Sequence, residues 1–281
     1  MDYKRIQVLL LAFFIVFDFY LLHMLFLRVE STDPGTPSQV TENIESSLTS
    51  RGITFQSFSN KKETKQIIQS DQSNFLADHL DQLDHQTARM DKETLVGTFD
   101  EPVDLGLGLD NQSSGLDEDQ YRQLYLNFLS KADWFINGDL YKSYWYLPSD
   151  RLLVLRMTSL DGDVIVDGSA DLRLYFDEDY KLVSYTQTYQ EGISQTDTQY
   201  KTLSEKEAME ILGRRVETAI PDNSTIISSR LAYFRSSSVD GLNVYSPAWE
   251  FIYSRSDGSL RVVMVDAVRG KVVERSQLVS S

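Results

Sequence analysis

No cysteine occurs in the 281 residues, which excludes a disulfide framework, a thiolate zinc site, a cysteine nucleophile and a lipidated-cysteine anchor. Histidine is almost as scarce, with three residues: His23, His79 and His85. Basic charge is short as well, with 27 Lys and Arg against 42 Asp and Glu, a net charge of −15. The basic and acidic groups of residues 1–30 cancel, so the whole excess falls on 31–281. Such an acidic surface argues against nucleic acid and against anionic headgroups as partners. No G-x-S-x-G elbow, glycine-rich phosphate loop or Asp-x-Asp-x-Asp-Gly loop is present. These absences leave no catalytic signature, and no cofactor or metal is expected.

What stands out instead is Ile6–Leu27, IQVLLLAFFIVFDFYLLHMLFL. At ~1.5 Å rise per residue it is long enough to cross a hydrocarbon core of ~30 Å. Its Leu, Ile, Val and Phe residues outweigh the cost of Asp18, Gln7 and His23. The run exceeds the apolar stretch of a secretory signal, and LFLRVEST offers no small-x-small cleavage site. An uncleaved anchor is the expectation. Lys4 and Arg5 favour a cytoplasmic N-terminus, and the bulk of the chain lies on the other side. The predicted organisation is a cytoplasmic tip (1–5), a transmembrane helix (6–27), a linker (28–35) and an ectodomain in two halves, 36–198 and 199–281.

Asp18 singles itself out inside the span. An ionisable group near mid-bilayer is costly and normally faces a partner or a water-filled cavity. A single span has no bundle of its own, so a partner helix is the natural place for it. Leu11, Phe14, Ile15, Leu21, Leu22 and Leu25 share its helical face, and with Asp18 they form the predicted partner-binding surface.

Local patterns predict an α+β ectodomain of antiparallel sheets, each packed with a helix. Val40, Ile44 and Leu48 stripe a helix that Gly52 stops, and Ile53–Phe58 alternates like a strand. Lys61–Met90 reads as a polar helical stretch. Asp117–Ile136 reads as a helix opened by an Asp117/Gln120 capping box. Strands are expected at 140–147, 152–157, 164–166, 172–176 and 182–189, and Glu191–Gln199 reads as a polar internal boundary. A Ser204/Glu207 capping box then starts a second helix that buries Ala208, Ile211, Leu212, Val216 and Ala219. Strands follow at 225–234, 248–253, 260–265 and 271–274, with turns at Asp240-Gly241, Asp257-Gly258 and Arg269-Gly270. The closing hairpins of the halves look alike (172–187 and 260–277), so two similar halves are possible.

Few side chains offer chemistry. Asp81 and His85 in DHLDQLDH (78–85) would share a helical face as a two-ligand metal site, but a solvated acidic face is the preferred reading. Asp161/Asp163 and Asp177/Asp179 sit at turns, where aspartate is favoured for its backbone bonding.

Several segments together resemble one family. They are MDYKRIQ (1–7), DFYLL (18–22), IESSLTSRGITF (44–55) and VSYTQTYQEGI (183–193), then LSEKEAMEIL (203–212), LAYF (231–234), SPAWEFIY (246–253) and VMVDAVRGKVV (263–273). In order and spacing the chain is similar to the YycI (WalI) family, regulators of the WalK–WalR (YycG–YycF) two-component system of low-GC Gram-positive bacteria. Residues 61–115 carry no part of this likeness, and the C-terminal half also resembles PepSY-type domains. The resemblance implies a non-enzymatic single-pass membrane protein with an extracellular domain. Its implied partners are a YycH-like sister protein and, through the spans, the transmembrane helices of a sensor histidine kinase, whose activity it adjusts in cell-wall homeostasis. Two other classes compete: an extracytoplasmic protease inhibitor or chaperone of PepSY type, and a cell-wall hydrolase or ligand-binding module.

Overall fold

Two local signals nucleate corresponding parts of the chain. At Asp117 the carboxylate accepts from Gln120 N (2.8 Å) while the Gln120 side chain accepts from Asp117 N (2.8 Å). At Ser204 the hydroxyl accepts from Glu207 N (3.3 Å) and the Glu207 carboxylate accepts from Ser204 N (2.9 Å). Each reciprocal pair satisfies two backbone donors that a helix start leaves orphaned. An antiparallel meander follows each helix, and its turns are set by residues that tolerate positive φ. The tightest is Asp240-Gly241, with φ of 51° and 81°, a pairing suited to a two-residue hairpin.

The computed structural model describes residues 44–110, 115–214 and 220–273. Its elements are α1 (Ile44–Ser50), β1 (Thr64–Asp71), α2 (Phe75–Asp78), β2 (Gln86–Asp91), β3 (Thr94–Val103) and α3 (Glu118–Leu124), which runs on into a π-helical turn, Tyr125–Leu129. Then come β4 (Tyr141–Leu147), β5 (Leu152–Met157), β6 (Asp171–Phe176), β7 (Leu182–Gln187), β8 (Glu191–Lys201), α4 (Glu205–Gly213), β9 (Thr225–Val239), β10 (Leu242–Ser254), β11 (Leu260–Asp266) and β12 (Val272–Val273). All strand pairs are antiparallel, in two sheets, so the α+β class with antiparallel sheets holds. Among the described residues no helix is long and apolar enough to cross a membrane. The predicted span lies outside the described residues.

One sheet, ordered β2-β3-β7-β6-β5-β4, comes from a continuous run of chain; we call it the local sheet. Leu153, Leu155, Leu172 and Leu174 on its inner face pack with Leu124 and Leu129 of the α3 segment, all within 1% of full burial. The other sheet, β12-β11-β10-β1-β8 with β9 on the far edge of β10, is assembled from distant pieces; we call it the composite sheet. Phe251 and Val265 pack beneath Ala208, Met209 and Leu212 of α4, with Leu48 of α1 in the same cluster. The remaining faces meet across Ala232, Ala248 and Met264, which pack with Val164 and Val166 of the loop between β5 and β6.

Five local expectations differ from the structure. Lys61–Met90 is not helical: β1 and β2 lie in it, joined by a single turn of helix and a 3₁₀ turn at Leu80–Gln82. Ile68 of β1 is fully buried, its side chain in the same apolar cluster as Leu153 and Leu174 of the local sheet. Glu191–Gln199 is strand β8, bulged against β1 near Gly192 (φ 63°), and an edge strand with no buried residue shows no hydrophobic alternation. The helix expected to reach Ile136 ends at Leu129, after the π turn. Ile53–Phe58 and Val164–Val166 form only isolated bridges, at Thr54, Val164 and Ile165, although Val164, Ile165 and Val166 are buried.

Candidate functional site: the seam between the two sheets

Charged side chains interrupt two apolar strands where the sheets face each other. Arg156 sits in LLVLRM of β5, and Glu250 in the middle of β10 is fully buried. Arg156 Nη1 donates to Glu250 Oε1 (3.4 Å), and Arg230 on the neighbouring β9 donates to Glu250 Oε2 (2.7 Å). On the β5 side Arg156 Nε lies 3.5 Å from Asp171 Oδ1, while Arg173 donates to Asp171 Oδ2 (3.1 Å). Three guanidinium groups thus share two buried carboxylates across the seam. Buried ions are costly unless paired and hydrogen-bonded, so this cluster fixes the mutual register of the sheets more than it adds net stability.

Further along the seam the strands diverge and leave a cleft of about 430 Å³. Its floor is an amide network. Gln190, 6% exposed, accepts from Ser70 Oγ (2.7 Å) and Asn243 Nδ2 (3.0 Å) and donates to the Ser169 carbonyl (2.7 Å). Asn243, 4% exposed, accepts from Ser238 Oγ (2.7 Å) and Gln72 Nε2 (3.3 Å). Behind Ser169, its hydroxyl and the Tyr245 hydroxyl lie 3.1 Å apart. Burial pushes the Tyr245 phenol up to about 12, so it stays neutral and able to donate at ordinary pH. Phe75 and Tyr189, with ring centroids 5.0 Å apart, and Met90 supply apolar wall. Lys92 and Asp71 stand at the rim.

The predicted site residues Leu11, Phe14, Ile15, Asp18, Leu21, Leu22 and Leu25 lie outside the described residues. The acidic turn pairs are occupied structurally. Asp163 is ion-paired to Lys65 Nζ (2.5 Å), and Asp161 accepts from Gln195 (2.6 Å). Asp177 accepts from the backbone of Asp179 and Lys181 (2.9 Å each). Asp81 and His85 do not share a helix: Asp81 is in the 3₁₀ turn, and His85 lies beyond it in the left-handed region (φ 60°). His79 Nδ1 pairs with the Phe75 carbonyl (2.7 Å), and its ring stacks on the Phe75 ring. Among the described residues no three His, Cys, Asp or Glu gather as a metal site. Neither the ion cluster nor the amide floor was found from sequence. The available signal was a charge or an amide at an inward position of an apolar strand: Arg156, Glu250 and Asn243.

Two antiparallel sheets, each packed with a helix, are the class of fold this geometry defines. Residues 34–268 match the family described as YycI protein. The chain therefore belongs to the YycI family. No curated protein matches it. Two solved structures are similar in outline, both at 10% identity. One is an uncharacterized protein from Eubacterium rectale (TM-score 0.43, covering 80% of this chain and 90% of the other). The second is the Bacillus megaterium YpeB C-terminal domain (TM-score 0.34, covering 86% and 100%).

Proposed function

We propose that this protein is a non-enzymatic, membrane-anchored regulator of a sensor histidine kinase of the WalK (YycG) type, acting together with a YycH-like sister protein. Membership of the YycI family over residues 34–268 is the observation that carries the reading, since that family is regulatory. The engagement of the turn carboxylates in ion pairs and backbone bonds agrees with a domain that does no chemistry. In this reading residues 6–27 cross the cell membrane once, with the N-terminus cytoplasmic and the ectodomain outside. Asp18 and the Leu11, Phe14, Ile15, Leu21, Leu22 and Leu25 face dock on the kinase's own spans, where a polar partner offsets the cost of an intramembrane carboxyl group.

The test is reconstitution of the kinase in lipid vesicles with and without the full-length protein, read as autophosphorylation rate. The expected result is a change of several-fold, with either sign accepted. An unchanged rate at saturating regulator and sister protein overturns the proposal.

A further inference from the structure

The cleft at the seam has the makings of a ligand site, and its donors and acceptors can be counted. An amide nitrogen carries two protons. Asn243 Nδ2 spends one on Gln190, and Gln190 Nε2 spends one on the Ser169 carbonyl. Both amide oxygens are already doubly engaged, by Ser70 and Asn243 at Gln190 and by Ser238 and Gln72 at Asn243. The floor therefore keeps two N–H donors and no free acceptor. It suits a carbonyl or carboxylate oxygen.

The rim carries one cation, Lys92, and two carboxylates, Asp71 and Glu93. Lys92 and Asp71 line the same cleft, and neither has an ion-pair partner among the described residues. Neighbouring Glu93, by contrast, is paired to Arg235 (3.3 Å). Asp71 is positioned by close packing: a Cβ on Gly192, which holds φ 63°, would lie 2.5 Å from Asp71 Oδ2. A glycine is required there both by conformation and by the carboxylate above it. Phe75 and Met90 complete an apolar wall.

We propose that this cleft binds a short free peptide. Its carbonyl oxygens lie on the Asn243 and Gln190 N–H groups, its C-terminal carboxylate on Lys92 and its N-terminal ammonium on Asp71. An aliphatic side chain rests against Phe75 and Met90. At about 430 Å³ the cleft lies at the small end of ligand pockets, which restricts the peptide to a short one. A nucleotide or sugar phosphate fits poorly, because Lys92 is the sole cation among the residues lining the cleft. The proposal is independent of the kinase assignment, since it concerns binding to the isolated protein.

The test is calorimetric titration of full-length protein in detergent micelles with Ala-Leu-Ala, beside the same peptide acetylated and amidated at its ends. Saturable binding of the free peptide at one site is expected, weakened at least tenfold by blocking both termini. Lys92→Gln, an exposed change that leaves the fold intact, should weaken the free peptide about tenfold and leave the blocked peptide unaffected. Gly192→Ala, which displaces Asp71, should weaken the free peptide similarly. Absence of saturable binding, equal binding of free and blocked peptides, or wild-type affinity in Lys92→Gln each overturns the assignment.

Discussion

The two sheets are similar in plan and opposite in assembly. Each carries a helix begun by a capping box, then an antiparallel meander. The local sheet is finished by one run of chain, β2 to β7. The composite sheet needs β1, from near the start of the described residues, inserted between β8 and β10 from much later in sequence. Contacts of high sequence separation form only after a large loop-closure cost. The composite sheet is therefore expected to be the later-forming and more easily opened of the two.

The largest effect should come from breaking what ties the sheets to each other. Glu250→Gln leaves the buried Arg156 and the partly exposed Arg230 without their shared carboxylate, and we expect a loss of ~3 kcal/mol in urea unfolding. Both sheets should suffer together, read as a coincident shift of near- and far-ultraviolet circular dichroism. Next in size is Phe251→Ala in β10, fully buried in the composite sheet's own cluster beneath α4. Removing a fully buried side chain costs ~2–5 kcal/mol, and hydrogen exchange should speed up in β8 and β10 well before β5 and β6. Uniform acceleration across both sheets would remove the distinction between them.

The two capping boxes give a matched pair of smaller changes. Asp117→Ala and Ser204→Ala should each cost ~1 kcal/mol. Ser204 is the more buried, at 1% exposure, so its loss should be the greater of the two in thermal melts.

The smallest effect is one of pH. Burial raises the Glu207 carboxyl, but the Lys62 hydrogen bond, the Ser204 bonds and the Lys62 charge outweigh it and hold the group below its ordinary 4.5. A carboxyl depressed by folding stabilises above its unfolded value, and that contribution fades as pH falls through the folded value. Lys62→Met should therefore lower stability at neutral pH, with the deficit shrinking as pH falls below about 4.5, so that the acid limb of the profile is flattened. A deficit that persists undiminished in strong acid would show a role for Lys62 unrelated to that titration.

How much of this was legible follows from the same contrast. Asp117–Gln120, Ser204–Glu207 and the Asp240-Gly241 turn announced themselves because their bonds span only a few residues. Strand β5 was read with its observed ends, Leu152–Met157, because it is buried on both faces and bounded by turns. Strands β1 and β8 were misread because β1 is specified by β8 and β10, and β8 by β1, in each case over a hundred residues away. The seam was hidden for a related reason. Gln190 and Asn243 are ordinary polar residues until β1, the loop before β6, and β9 bring Ser70, Ser169 and Ser238 to them.

The most direct test of the regulatory account is crosslinking in native membranes with full-length protein, wild type beside Asp18→Leu, followed by isolation of the adducts. The account predicts that a sensor kinase and a single-pass sister protein are captured by the wild type and that the kinase adduct falls at least several-fold in the variant. Capture of a protease or wall enzyme in their place, or kinase capture undiminished by Asp18→Leu, would contradict it.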